Sequence, residues 1–589
     1  MKWVKWSIND IPGSARDLKG QCESKFENIL ITDINNYEDG QCSFSSVETC
    51  QYKHDIPNAA FEDILVFGDV ELFNLASLIT KYELQKDRHP LAQLYNICGA
   101  DIFRELNGEF TFVLYDRKAN KVFLVVDSLG VKDLFWNFSD NILNAGTDLF
   151  IIDDLNTKKG WNKRYFRDFL RLNGICVGRE TPFIDVFRVL PGYYVMIDLS
   201  CADVQEVKYW DLCGVTYQTH YKTENEYFEQ FRFLVSQAVE RRLLTEQNGI
   251  AMSGGLDSTS LFAISKHLDE EVDITPISGV FVNFRDCDET SFIEKVCEMY
   301  NTVPTLVNCD DCGMFANFPQ QYPVSDEPHC PSLSSSFTQK ILEYASRNKI
   351  TNFIDGYGAD FLLSGTPLIS VDLWNQKKRL HFIKHIMDIS RMFDESIYLS
   401  IKKSFVKRNY EDIDDTMLSH IEHTLSNIKT YNQKHIYTQM FYARTYKLLD
   451  KVLAPICNIS MRHPFLDRDL IEYIYTIPGE LLIQSASSKY LLRESMRNYL
   501  PQEVVNKSQK TQHVSMSFKG INEAWGILHS ILSEYKQNHF CDPCASKDDW
   551  LKMLQDFRSG KKFDSAIFSM LCLEIWLSQK FVDHDTQGH

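Results

Sequence analysis

The chain has 589 residues, enough to bury at least two separate cores, and its 44% hydrophobic and 24% charged residues are the proportions of an ordinary globular protein. No run approaches the roughly eighteen consecutive apolar residues of a membrane span, and a net charge of −18 without clustered Lys and Arg is unsuited to phosphate backbones, so neither membrane nor nucleic acid is expected as a partner. The first residues, MKWVKWSINDIPG, contain lysines but no apolar signal core, which points to the cytoplasm and to reduced thiols for the sixteen cysteines.

Short β-branched and aromatic runs at 64–67, 110–115, 121–126 and 193–197, separated by Gly, Asn and Asp turns, predict a sheet domain over 1–212. Helix-spaced apolar residues at 225–244 open a second domain, 225–580. Within it a strand at 250–252 leads into a helix ending near 268. A second strand spans 276–284, and further alternation ends in a strand at 352–354. Strands alternating with helices predict a parallel, doubly wound sheet with a helical C-terminal part. Residues 366–434 read as a helical insertion or lid, and 583–589 as a loose tail. Two Cys-x-x-Cys pairs, Cys309/Cys312 and Cys541/Cys544, have metal-like spacing, but their separation disfavours a shared zinc.

The strongest chemical signal is Ser253-Gly254-Gly255-Leu256-Asp257-Ser258 between a strand and a helix. Its glycines let backbone N–H groups approach a phosphate, Ser253 and Ser258 add hydroxyls, and the helix N-terminus adds partial positive charge. No GxxxxGK(S/T) occurs, so this is not the loop that cradles a transferable γ-phosphate.

With Ala238-Val239-Glu240-Arg241-Arg242-Leu243 ahead of it, the segment resembles the N-type ATP pyrophosphatases of the asparagine-synthetase superfamily. Asp288-Glu289, Asp326-Glu327-Pro328, Asp355-Gly356-Tyr357-Gly358-Ala359-Asp360, Arg462 to Asp467 and Lys489-Tyr490-Leu491-Leu492-Arg493 match in order and spacing. Asn107 to Phe110, Asp127 to Lys132 and Leu190 to Gly192 resemble the family's N-terminal glutaminase domain, which implies an α+β Ntn-type sheet fold.

The resemblance implies that ATP adenylates a carboxylate with release of pyrophosphate and that an amine then displaces AMP. It assigns ATP to Ser253, Gly254, Gly255, Asp257, Ser258 and Gly356, and Mg2+ to Asp257 and Asp360. Asparagine synthetases carry glutamate where this chain has Tyr357, and β-lactam synthetases carry tyrosine. There the tyrosine works with a glutamate, whose counterpart falls near Leu448. Lys510 is the expected catalytic lysine beside Tyr357, with Lys507 in reserve.

Functional glutaminases of the family expose a cysteine after the initiator methionine, but Lys2 stands here, and Phe67 to Asn74 lacks the first asparagine of the glutamine-binding segment. The chain is therefore expected to lack glutaminase activity and to close a macrolactam, as lasso peptide cyclases do. Alternatives are a β-lactam or carbapenam synthetase, an ammonia-dependent asparagine synthetase, and a non-catalytic interaction protein. Expected partners are a peptide or small carboxylate and amine substrate, with a leader-peptide-binding protein and a leader peptidase in the lasso case.

Overall fold

The computed structural model describes strand segments 2–8, 33–38, 42–48 and 59–61. From 63 to 585 it describes all residues but 153–159, 176–177, 217–218, 245, 269–271, 317, 319–322, 324, 406–423, 446, 508–513, 534–546 and 560–565.

Two six-stranded sheets form the N-terminal part. In one, Ile64–Leu72 pairs antiparallel with Gly108–Asp116, which pairs with Lys121–Val126. These strands are apolar on both faces because both are covered. Leu65, Phe67, Val113 and Leu124 face the other sheet and meet Trp6, Phe44 and Trp136. The alternate residues Ile64, Val66, Phe110 and Phe112 pack on helices Leu75–Tyr82 and Pro90–Cys98. This is the expected α+β, Ntn-like sheet domain.

The second part is built on five parallel strands ordered Thr305–Asn308, Ile274–Val280, Asn248–Ala251, Asn352–Ile354, Ser460–Arg462. Helices cover both faces. Glu224–Glu240 and Leu256–Leu268 pack through Phe231, Val235 and Leu261 on one side, and Ser335–Arg347 packs through Ile341, Leu342 and Ala345 on the other. The chain starts in the middle strand, builds outward to Thr305–Asn308, then crosses back to Asn352–Ile354. That reversal creates a crevice at the carboxyl ends of Asn248–Ala251 and Asn352–Ile354, the place where open parallel sheets bind ligands.

A separate helical core joins the two parts. Phe166 and Phe169 of helix Lys163–Arg171 pack with Leu528, Leu554, Leu571 and Trp576 of the C-terminal helices.

Several expected boundaries shift. The strand expected at 276–284 is Ile274–Val280, because the Phe281 N–H donates to Asp288 Oδ1 instead of to the ladder. The helix expected at 225–244 is Glu224–Glu240, set by a Thr223/Glu226 capping box. Helix Ala566–Asp585 runs into the segment expected to be a loose tail, and 586–589 lie outside the described residues. The 366–434 segment contains helices Ile369–Asn375, Arg379–Met392 and Ile397–Phe405 and the start of Tyr431–Thr445. Cys309 and Cys312 are buried after strand Thr305–Asn308, with hydrogen bonding between the thiols holding Cys309 below its usual range, while Cys541 and Cys544 lie outside the described residues.

Candidate active site

Strands Asn248–Ala251 and Asn352–Ile354 are in register, Ile250 opposite Ile354, so the two glycine-rich segments leave neighbouring strand ends side by side. Their approach is close. A Cβ at Gly356 would lie 2.9 Å from the Ser258 nitrogen, and Gly358 turns the chain at φ +98°, a conformation L side chains rarely adopt.

The first segment is ordered by its own hydroxyls. The backbone N–H of Ser253 donates to Ser258 Oγ at 3.0 Å, and that of Gly255 donates to Ser253 Oγ at 3.2 Å. The Gly254 N–H donates to Glu289 Oε2 at 3.0 Å. Glu289 also pairs with Lys507, whose ammonium lies 4.4 Å from the centre of the Phe292 ring.

Asp257 and Asp360 converge on one cation. Lys489 Nζ lies 2.6 Å from Asp257 Oδ2 and 2.5 Å from Asp360 Oδ1. Lys489 is buried and begins helix Tyr490–Ser495 in the left-handed region, at φ +55°. Arg493, one turn on, donates to Ser488 O at 2.9 Å; burial lowers its pKa while Asp257 opposes that shift.

These residues surround a cavity of about 540 Å³, a volume suited to a nucleotide-sized ligand. Ser253, Asp257, Asp360, Lys489 and Lys507 form its charged side, and Phe337, Ile341, Phe353 and Met461 its apolar wall. Gly255, Ser258, Gly356 and Tyr357 line it too.

The Tyr357 hydroxyl donates to the Ala443 carbonyl at 2.7 Å, and its N–H donates to Asp355 Oδ1 at 3.0 Å. Its ring meets His463 edge-on at a centroid distance of 5.5 Å. His463 is clamped at 2.7 Å on each side, Nδ1 to Asp355 and Nε2 to Asp450. Burial opposes the imidazolium, but the two carboxylates override it and hold the histidine pKa well above its usual range. A cation therefore braces the segment that carries Tyr357 and Asp360.

The structure thus brings together Ser253, Gly254, Gly255, Asp257, Ser258, Gly356, Tyr357 and Asp360, and places the reserve lysine, Lys507, with them. Lys510 lies outside the described residues. Leu448 falls on helix Lys447–Ile456, where Asp450, two residues on, serves His463. Sequence reasoning assigned no role to Lys489, Glu289 or His463. Each stood inside a recognised motif, which was the available signal.

A family model described as asparagine synthase matches residues 230–578, more than half of the chain. The chain belongs to the asparagine synthase family. A glutamine amidotransferase domain model matches 65–210. Among curated relatives, amidase chry2 of Gibberella zeae is 23% identical over 77% of this chain and 76% of its own length. Asparagine synthetase [glutamine-hydrolyzing] 3 of Bacillus subtilis is 21% identical over 91% and 89%. Human asparagine synthetase [glutamine-hydrolyzing] is 23% identical over 78% and 72%. Of the solved structures, glutamine phosphoribosylpyrophosphate amidotransferase from Bacillus subtilis aligns with a TM-score of 0.22 and 11% identity over 46% of this chain and 59% of that one.

The chemistry of the family is ATP-dependent amide-bond formation, typically with Mg2+. The residues present fit both ligands. Two carboxylates directed at one point, with hydroxyls beside them, are the hard oxygen donors that magnesium takes, and the glycine-lined strand ends with Lys489 and Lys507 suit a polyphosphate.

Proposed function

We propose that the chain is an ATP-dependent cyclase that adenylates a substrate carboxylate and closes a macrolactam with the substrate's own amine. The observation that supports attack by the substrate's own amine is Tyr357, which lines the same cavity as Asp257 and Asp360.

In the first step a carboxylate oxygen attacks the α-phosphorus of ATP and pyrophosphate leaves. Asp257 and Asp360 would hold the magnesium that neutralises the triphosphate, and Lys489 and Lys507 bring positive charge to the leaving group. In the second step the amine attacks the acyl carbon, AMP leaves, and the nitrogen loses a proton. Because its own proton is engaged by the Ala443 carbonyl, the Tyr357 oxygen presents lone pairs that can accept an amine N–H. This orients the nucleophile; the proton that the nitrogen loses goes to the departing AMP phosphate or to water, since the Ala443 carbonyl is no base.

The amine is assigned to the substrate because the amidotransferase-like part is poorly suited to release ammonia. Phe67 replaces an asparagine of the glutamine-binding segment, and Asp69 in that segment is bound by Lys132 Nζ at 2.5 Å. Glutamine is accordingly expected to yield no glutamate, with or without ATP. A leader-peptide-binding protein and a leader peptidase would supply the peptide.

Two other readings have a specific support each. Tyr357 also suits a β-lactam or carbapenam synthetase, and the names of several relatives, glutamine-hydrolyzing asparagine synthetases, suit an asparagine synthetase, here with free ammonia in place of glutamine. Pyrophosphate release is the test, measured with ATP and Mg2+ against leader-free core peptides, small carboxylated β-amino acids, and aspartate with ammonia, each product checked by mass. Loss of one water from a peptide supports the macrolactam reading. Turnover of only a β-amino acid, or of only aspartate, overturns it in favour of the corresponding alternative.

A further inference from the structure

Helices Arg379–Met392 and Ile397–Phe405 pack against each other and on Ile369–Asn375, forming a small helical layer. Its inner side is held by Ile369, Leu373, Phe382, Ile386 and Ile483. Helix Ile397–Phe405 is inside out. The residues it buries are Ser400 and Ser404, with Ser370 donating to Ser404 at 2.8 Å, while Ile397, Tyr398 and Ile401 face solvent and Phe405, half exposed, meets Trp374 and Phe382. A helix that merely covered a core would present the opposite face.

The neighbouring helix continues the exposed side. Leu380, Ile383 and Met387, spaced three and four residues apart, lie on one stripe, opposite buried Phe382, Ile386 and Ile389. Leu380 is 81% exposed and Tyr398 74%. Side chains this exposed protrude; those lining a peptide groove would be half covered by its walls.

Charge selects the occupant. Residues 377–405 hold seven Lys or Arg against three Asp or Glu, a net +4 within a chain of net −18. Lys384 and Lys402 are exposed among the apolar residues, and Arg379 stacks 3.7 Å from the centre of the Trp374 ring. A second copy would set two basic faces against each other. An acidic, deformable, apolar phase accepts protruding aliphatic and aromatic side chains with a basic rim.

We propose that this face docks peripherally on an anionic lipid surface. That revises the sequence-based expectation of no membrane partner, which rested on the length of apolar runs and is blind to apolar residues gathered on one side of two short helices. No described helix is long and apolar enough to cross a membrane, so the contact is interfacial.

The test is flotation of the full chain with vesicles of phosphatidylcholine alone and of phosphatidylcholine containing about one third phosphatidylglycerol. Wild type is expected to float with the anionic vesicles and to be released by about 0.5 M salt. Leu380→Ser/Tyr398→Ser and Lys384→Glu/Lys402→Glu are each expected to lower partitioning at least about tenfold, with circular dichroism and pyrophosphate release unchanged. Wild type that stays unbound, or variants that float as well as it does, would overturn the proposal. A concentration-dependent dimer lost in Leu380→Ser/Tyr398→Ser, without vesicle binding, would also overturn it and assign the face to a second copy.

Discussion

Lys489 solves a local electrostatic problem. Asp257 and Asp360 come from different strand ends, and without a cation between them two carboxylates on one point would repel. The ammonium at 2.6 and 2.5 Å holds them in register. Lys489→Ala is expected to lower ATP–pyrophosphate exchange about 10²–10³-fold, the usual cost of removing one preorganised charge partner from developing negative charge. Asp257→Asn and Asp360→Asn are expected to abolish the exchange. In the proposed mechanism Tyr357 acts after that step. Tyr357→Phe keeps the ring against Phe361 and His463 but removes the oxygen, so exchange should stay at the wild-type rate while amide formation falls about 10²–10⁴-fold. Amide formation at the wild-type rate would remove Tyr357 from the amide-forming step.

The elements differ in how plainly they could be read. The strands that carry the site were legible because apolar runs followed by Gly-rich, hydroxyl-rich segments leave few alternatives, and the order of motifs placed both glycine segments at strand ends. Strand ends were less legible. Phe281 is as apolar as the ladder residues and as buried, but its N–H goes to Asp288, so burial rather than hydrogen bonding set the apparent length. Helix Ile397–Phe405 was illegible in a stronger sense, since periodicity places Ile and Phe inward and the fold buries serines instead. Lys489 needed a left-handed backbone that no residue type announces. Close helix packing was also hidden, and Gly520 is the clearest case. A Cβ there would sit 1.8 Å from the Met314 carbonyl oxygen, so helix Val514–Glu523 lies directly on that loop. In an open helix Gly520→Ala would stabilise by up to about 1 kcal/mol. Here the clash is expected to reverse the sign and destabilise by about 1–3 kcal/mol, read as a lowered thermal midpoint. A raised midpoint would mean that the helix stands clear of the loop.

At the scale of the whole molecule, the two parts are joined by buried charge. Arg242 donates to Glu109 Oε1 at 2.8 Å and to Asp467 Oδ2 at 3.0 Å. Arg462 reaches Glu71 at 2.7 Å, Glu109 at 3.3 Å and Asn352 at 3.1 Å. The acids Glu71 and Glu109 belong to the N-terminal sheet and both arginines to the second part, so the network crosses the boundary between them. Arg462 closes strand Ser460–Arg462, and His463 follows it directly into the Tyr357 segment. Such a network contributes little net stability relative to apolar packing, yet removing one partner strands the others. Arg242→Met should therefore cost about 3–5 kcal/mol. The same linkage sets an acid limit. Burial pushes the Glu109 carboxyl up, but Arg242, Arg462, Lys132 and His463 together bring it down to about 2. A carboxyl held below its unfolded value adds stability above the ordinary carboxylate range and forfeits it as pH falls toward the folded value. Thermal midpoints are expected to be level above about pH 5 and to drop steeply between there and pH 2, by calorimetry. In Arg242→Met the drop should begin at higher pH, because Glu109 loses its nearest cation. An acid limb that stayed in place in this variant would show that the parts are held by the Phe166–Trp576 core and not by the charges between the sheets.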